Sequence, residues 1–187
     1  VSALSKAMPE KAIASWGRRR GHYLTGTDPR TGERYVQTTT DADGGSGAVW
    51  GFDGAEGAMG MSGLGSIQRG SVEEVETRYP WRTVRYHCVP DLSGAGRWRG
   101  GSGMLWEVEN CGSDVGVATG SSDGDLTQPP GAADGEPGPL CKMYVRRGDE
   151  ETPARTHRMV QVATGEVLGK LSGGGGGVGD PAERDPE

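Results

Sequence analysis

The residues best suited to chemistry fall between Arg78 and Gly103, in the run RYPWRTVRYHCVPDLSGAGRWRGGSG. A strand-like stretch delivers the chain to Asp91. A Gly-rich loop then presents Arg97, Trp98 and Arg99, and Gly100 and Gly101 lead into the next strand-like stretch. Two guanidinium groups on a loop of small residues have the donor geometry to grip a carboxylate or a phosphate in bidentate fashion. The alternative is structural: Asp91 pairs with one of the arginines and closes the loop. Arg97, Arg99, Gly100 and Gly101 are therefore candidates for binding substrate or phosphate, and Asp91 is a candidate for supporting the site. Glu73 and Glu76 stand three apart, so on a helical turn they share a face. They read either as a general base or ligand, or as the solvated face of a helix that stops before Pro80.

Other patterns resemble functional motifs but lack the surroundings those motifs need. Gly174-x-Gly176-x-x-Gly179 has the form of a dinucleotide fingerprint, yet no further strand or acidic partner follows it. It reads as a close-packed turn before a helix, with anion binding by backbone amides at that helix start as an alternative. Gly165 to Leu171 is one residue short of a phosphate loop and has Leu171 where a hydroxyl is required, so a hairpin turn is expected. Gly120-Ser121-Ser122-Asp123-Gly124 has the spacing of a nucleophile elbow, but Pro129 and Pro130 deny it the helix that must follow. Asp41-Ala42-Asp43-Gly44 and Asp123-Gly124-Asp125 complete no calcium loop and read as turns. His87 and Cys88 are neighbours on a strand and point to opposite faces, so no metal site is expected from them. His22, His87 and His157 have no recognisable partner in the sequence, and no residue is assigned a catalytic role.

The elements that must position these residues are short. Strand-like runs occupy 33–40, 83–89, 104–110, 114–119, 141–147 and 157–163, rich in Val, Thr, Tyr and Trp and separated by Gly, Pro and Asp. In 83–89, Val84, Tyr86 and Cys88 alternate with Arg85 and His87. In 104–110, Met104, Trp106 and Val108 alternate with Leu105, Glu107 and Glu109. Helix formers fill 3–15, and Asp180-Pro181-Ala182-Glu183 has the form of a capping box. The fold class is therefore β-rich α+β, with long Gly-rich connectors and a helix at each end. The connectors are 43–65, 94–103, 112–135 and 173–179, and 120–138 is expected to be a mobile surface loop.

Composition narrows the function classes. Of 187 residues, 35 are Gly and 11 are Pro, but the Gly has no three-residue period, which excludes collagen. A net charge of −6 disfavours nucleic acid as a partner. No apolar run approaches the roughly 18–20 residues of a membrane helix. The three Cys are far apart, which fits a reducing compartment, and the first residues lack a signal-peptide pattern, so a cytoplasmic location is expected. The capping box lies close to Glu187, and the chain starts in helix formers without an evident cap. Both ends therefore read as interior positions of a longer polypeptide.

The run from Asp91 to Gly103 resembles the D-S-G-G-A-G-[KR]-[WY]-R-G-G-x-G signature of the B component of the hydantoinase/oxoprolinase family, whose relatives include acetone and acetophenone carboxylases. Leu92 and Ser93 depart from it. Four other places agree in order. Gly44-Gly45-Ser46-Gly47-Ala48 with Asp53-Gly54 is similar to the family's G-G-x-G-A and D-G. Val72-Glu73-Glu74-Val75-Glu76 with Tyr79-Pro80 is similar to P-V-E-x-x-E-x-x-x-P, although Arg69-Gly70-Ser71 replaces the usual Asn-Thr-Pro. Pro129-Pro130-Gly131 with Gly135 and Gly138 is similar to P-P-x-G and G-G-x-P-G. The run of Gly173–Gly177 with Gly179-Asp180-Pro181 and Arg184 is similar to G-G-G-G-[YF]-G-D-P-x-x-R, with Val178 for the aromatic.

The resemblance implies residues 1–187 of a longer chain, the C-terminal portion of a B component. It implies ATP on a separate A-like subunit or domain, a small cyclic amide as substrate, and an oligomeric assembly. It implies hydrolysis of that amide, or, as alternatives, a carboxylase subunit or a scaffold region without catalytic residues. A divalent metal is expected only in a part of the family that lies upstream, and the 187 residues alone are expected to be inactive.

Overall fold

The computed structural model describes residues 7–8, 11–18, 20–58, 70–112, 115–119, 124–155 and 158–185. Among the described residues nine strands form two antiparallel sheets. The first has order β2-β1-β5-β8, from β1 (Arg20–Thr27), β2 (Arg34–Ala42), β5 (Val115–Thr119) and β8 (Met159–Val162). The second has order β3-β4-β9-β6-β7, from β3 (Trp81–Cys88), β4 (Met104–Asn110), β6 (Lys142–Arg147), β7 (Glu150–Pro153) and β9 (Val167–Leu171). A short helix, α1 (Val72–Arg78), precedes β3. Ser71 caps it by accepting from the Glu74 amide, and Glu74 pairs with Arg78 one turn on. A tight turn at Gly148 closes the β6–β7 hairpin, and one at Gly165 carries the chain from β8 in one sheet to β9 in the other; both residues have positive φ, 59° and 81°, and open space where a Cβ would stand.

The sheets face each other across one apolar core. Leu24 and Val162 come from the first sheet, and Trp81, Trp106, Val108, Met143, Val145 and Leu168 from the second. Period-two alternation puts these side chains on one face, as expected for β4: Met104, Trp106 and Val108 are all buried. In β3 the alternation breaks at a bulge between Thr83 and Arg85. Val84 is the extra residue and is exposed, while Tyr86 and Cys88 stay opposite Trp106 and Met104. Trp81 ties the sheets together by donating its indole N–H to the Tyr35 hydroxyl at 2.9 Å.

Several elements differ from the sequence expectations. β1, β7 and β9 lie outside the expected strands. Residues 165–171 are more than a turn: after Gly165 the chain runs as the central strand β9, paired with both β4 and β6. Lys11 closes a 3-10 turn on Met8, but residues 12–15 are extended instead of helical; Ile13 bridges Val49, and the Ala14 amide donates to Ala48 O. Residues 1–6 and 9–10 of the expected N-terminal helix lie outside the described residues. At the other end only a single 3-10 turn forms, Pro181–Glu183, capped by the Asp180 carboxylate. Of the segment expected as a mobile surface loop, 120–123 lies outside the described residues. Its later part, 129–138, is hydrogen-bonded into the interior: Pro130 O accepts from Ser15, and the Ala132 amide donates to Gly177 O.

That interior is a bundle of extended backbone organised around Gly173–Gly179. None of Gly173 to Gly177 has positive φ, so glycine is needed there for proximity alone. A Cβ on Gly174 or Gly177 would stand 1.8 or 2.0 Å from the carbonyl oxygens of Leu92 and Ala95. A Cβ on Gly173 or Gly176 would press on Pro139 or Pro130, and one on Gly175 would reach Ser46 O at 1.9 Å. Residues three apart thus meet the same neighbouring segment, the repeat of a polyproline II helix. The backbone groups pair across the bundle: Gly94 N with Gly175 O, Gly175 N with Gly101 O, Ala48 N with Gly176 O, and Trp98 with Val178 in both directions. The side chains packed here are small, with Ala12, Ala14, Ala48 and Val178 fully or almost fully buried. Gly175→Ala is expected to destabilise the fold by about 3 kcal/mol or more, because only backbone faces the new methyl. Gly32→Ala, in open space at a φ of 74°, is expected to cost about 1–2 kcal/mol. Denaturant midpoints measure both, and equal losses would show that the bundle can widen.

Candidate functional site

The Arg-Trp-Arg loop sits at one end of the glycine bundle and is anchored there by charge. The Arg99 guanidinium donates to Asp91 Oδ1 at 2.7 Å, and the Arg99 amide donates to Asp53 Oδ1 at 2.8 Å. Asp53 also accepts two hydrogen bonds from Arg184, at 2.9 and 2.7 Å, and Arg184 donates in turn to the Arg97 carbonyl. The Arg184 hydrogen bonds hold the Asp53 carboxyl below its ordinary range. Arg97 lies over the Trp98 ring, 5.0 Å from its centroid, and reaches Glu183 at 3.4 Å. The Glu183 carboxylate therefore turns to Arg97, and the full capping box is not made. Trp98 stacks at a tilt on Trp50, with 4.6 Å between ring centroids. Asp91 adopts a φ of 58°, which turns the chain so that its carboxylate meets Arg99. At this end of the bundle three arginines are each paired with a carboxylate: Arg184 with Asp53, Arg99 with Asp91 and Arg97 with Glu183.

Gly100 and Gly101 serve the bundle directly. Their amides donate to Gly94 O and Ser46 O, and a Cβ on either would stand 2.0 Å from a carbonyl oxygen. The glycines of the 174–179 run are packed just as closely, so the cradle that a nucleotide phosphate would fill is already occupied by protein backbone. Lys170, at the phosphate-loop-like position, is fully buried. These residues do not fit ATP.

Glu73 and Glu76 are not brought to the arginine loop. They lie on α1, next to the Trp81 end of β3, whereas the loop follows the Cys88 end, roughly 25 Å along the strand. Glu76 accepts from the Thr83 amide at 2.7 Å and so fastens the helix to β3. Among the described residues, no group of three or more His, Cys, Asp or Glu is placed to hold a metal.

Two buried polar clusters are not evident in the sequence. Glu107, on the face of β4 that points away from the core, is nevertheless fully buried. Arg85 donates to both of its carboxylate oxygens at 2.6 Å, the Tyr144 hydroxyl donates at 2.5 Å, and Arg146 stands at 3.3 Å. Tyr144 reaches it by lying across Gly169, where any Cβ would strike the phenol ring. Burial pushes the Glu107 carboxyl up, but the Arg85 and Tyr144 hydrogen bonds and the charges of both arginines together hold it below its ordinary value. Burial and the Glu107 carboxylate push the Tyr144 phenol far up. The second cluster is inside the core. Lys170 Nζ lies 4.0 Å above the Trp106 ring and donates to His22 Nδ1 at 2.9 Å. His22 Nε2 stands 3.1 Å from Met143 Sδ. His22, which shows no partner in the sequence, is thus held on both ring nitrogens.

The depressed Glu107 carboxyl links stability to acid. Its contribution is present above the unfolded value near 4.5 and is lost as pH falls through the lower folded value. Glu107→Gln is expected to cost about 2–3 kcal/mol at neutral pH, less than a fully buried pair because Arg85 stays half exposed. It is also expected to flatten the loss of stability below about pH 4.5. Tyr144→Phe is expected to cost about 1–2 kcal/mol. Urea melts from pH 3 to 7 check both; a Glu107→Gln protein with unchanged acid sensitivity would contradict the assignment.

Residues 1–181 match the family described as hydantoinase B/oxoprolinase. The beta chain of the caprolactamase of Pseudomonas jessenii is 33% identical over 97% of the chain, and the B component of a putative D-/L-hydantoinase of Pseudomonas sp. strain NS671 is 28% identical over all of it. The crystal structure of the ATP-dependent caprolactamase from Pseudomonas jessenii superposes with a TM-score of 0.80 and 28% identity over 98% of the chain. A nucleotide-free acetone carboxylase structure superposes with a TM-score of 0.76 at 16% identity over 89% of the chain, a likeness of fold. The chain spans about a third of these relatives: 32% and 31% of the two sequences, and 33% and 26% of the two structures. Among the described residues no helix is long and apolar enough to cross a membrane. With the glycine bundle built from the same segments that carry the signature runs, the chain belongs to the hydantoinase B/oxoprolinase family.

Proposed function

We propose that this chain works within the B component of an ATP-dependent enzyme that hydrolyses a small cyclic amide. The observation that carries this reading is the likeness to the caprolactamase, in fold and in sequence, over 98% of the chain. The likeness to acetone carboxylase, at 16% identity, speaks to the fold alone and does not favour a carboxylase. Amide hydrolysis needs an activated carbonyl. Because neither the Gly100–Gly101 loop nor the Gly173–Gly179 run fits a nucleotide, ATP is assigned to an A-like subunit or domain. The two Pseudomonas relatives are each named as one component of a multi-component enzyme, which supports such a partner. A cytoplasmic location agrees with three free cysteines.

Within this reading Arg97 and Arg99 are positioning residues, because each is already neutralised by a carboxylate. They fix the loop that Gly100 and Gly101 lock to the bundle, and Asp91 holds Arg99 in place. Glu76 supports β3, and Glu73 lies on the exposed face of the same helix. The test uses the complete two-component enzyme with caprolactam and hydantoin as substrates. Ring opening is expected only with both components and ATP present. Carboxylation of a ketone without any amide hydrolysis would overturn the assignment. Arg99→Ala is expected to cost at most about 1 kcal/mol of stability, since the pair is exposed, and to leave KM unchanged. A tenfold rise in KM without loss of stability would instead make Arg99 a substrate contact.

A further inference from the structure

The balanced charge around Arg97 and Arg99 contrasts with a second place in the molecule. β7 is the outer strand of one sheet and β8 the outer strand of the other. Between them lies a cleft of about 520 Å³. This is within the range of small-molecule sites. Its lining includes Arg147, Arg155 and Arg158 and no acidic residue. Arg147 donates its Nε to Glu166 at 2.5 Å. Among the described residues Arg155 and Arg158 make no ion pair, and both are exposed. The floor is apolar. Val145 is buried in the core, and Ala154 and Val160 pack against that core from the cleft side. Met159, 76% exposed, forms part of the rim.

Three guanidinium groups collected over an apolar floor, in a chain of net charge −6, repel one another unless an anion sits among them. Of the nearby carboxylates, Glu166 is taken by Arg147, and Asp125 and Glu151 line an adjoining pocket that shares Arg155 but do not line this cleft. We propose that the cleft binds a small organic anion. Its carboxylate or phosphate group is gripped by Arg155 and Arg158, and its apolar body lies on Val145 and Val160. Guanidinium supplies paired donors that match either head group. The site is independent of the amide-hydrolysis reading, since it uses none of the residues in that proposal.

The methyl resonance of Met159 reports occupancy directly in the full-length protein labelled at methionine. Four probes are titrated: phenyl phosphate, benzoate, inorganic phosphate and benzyl alcohol. Phenyl phosphate or benzoate is expected to shift the Met159 signal saturably, with Kd at or below about 1 mM. The tighter of the two identifies the head group. Arg155→Ala combined with Arg158→Ala is expected to weaken that probe at least about tenfold. Arg158→Lys is expected to weaken it less, because the charge remains while the fork is lost. Inorganic phosphate and benzyl alcohol, each with half of the recognition, are expected to bind at least about tenfold more weakly. Circular dichroism confirms that the variants fold, as exposed substitutions should. The proposal fails if neither organic anion shifts Met159 saturably, or if the double variant binds as well as the native chain. It also fails if inorganic phosphate or benzyl alcohol binds as tightly as the organic anions.

Discussion

Closeness of backbone to backbone is the constraint on which this structure rests. The Gly173–Gly177 run passes between four other segments of the chain so closely that no Cβ fits: one on Gly174 would stand 1.8 Å from Leu92 O and one on Gly175 1.9 Å from Ser46 O. Such an axis gains little from side-chain burial. Its cohesion comes from amides and carbonyls that find partners on neighbours instead of on a sheet ladder. Glycine loses the most conformational freedom on folding, so the run must be held from all sides at once. The segments at 12–17, 44–48, 92–101 and 130–138 supply that hold, and each is fixed by the run in return.

The charged loop follows from this arrangement. Arg97 and Arg99 emerge where two rigid backbone segments end, so a few ion pairs are enough to set them. Asp53 joins three parts of the chain: its own 44–54 segment, the Arg99 amide and the Arg184 guanidinium. That clasp ties the end of the axis to the loop. Exposed pairs contribute little stability individually; here they select one orientation of groups whose positions the bundle has already restricted.

Legibility in the sequence follows the physics of each element. β4 is readable because one face of it is apolar at period two, and the family signature is readable because its glycines are fixed by contact. β9 is not. Gly165, Gly169 and Lys170 all signal turn or loop, yet Gly169 is in the strand to admit the Tyr144 ring and Lys170 is there to lie on Trp106. Glu107 looks like the solvated half of an alternation. Only the register that places Glu107 opposite Arg85 and Gly169 opposite Tyr144 reveals it as buried. The extended path of 12–15 is hidden by helix-forming composition, because pairing with 48 and 130 outweighs local propensity there. The pairing of Arg99 with Asp91 is anticipated by their shared loop, whereas the distance between that pair and Glu76 depends on which end of β3 each occupies.

Charge balance separates the roles of the polar clusters. Glu107 has two arginines and a phenol directed at it, and a buried carboxylate so satisfied has no capacity left for a ligand. The Lys170 ammonium is placed against a ring face and an imidazole nitrogen, and its exclusion from solvent makes it part of the core. Both clusters specify how the sheets pair and pack. Around Arg97 and Arg99 each guanidinium has a carboxylate partner, and the pairs fix a loop. At the cleft between β7 and β8 the positive groups outnumber their partners, and the surplus is open to water. Arg155 and Arg158 stand at an exposed edge, where a soluble anion can complete the balance that the cleft's own lining does not.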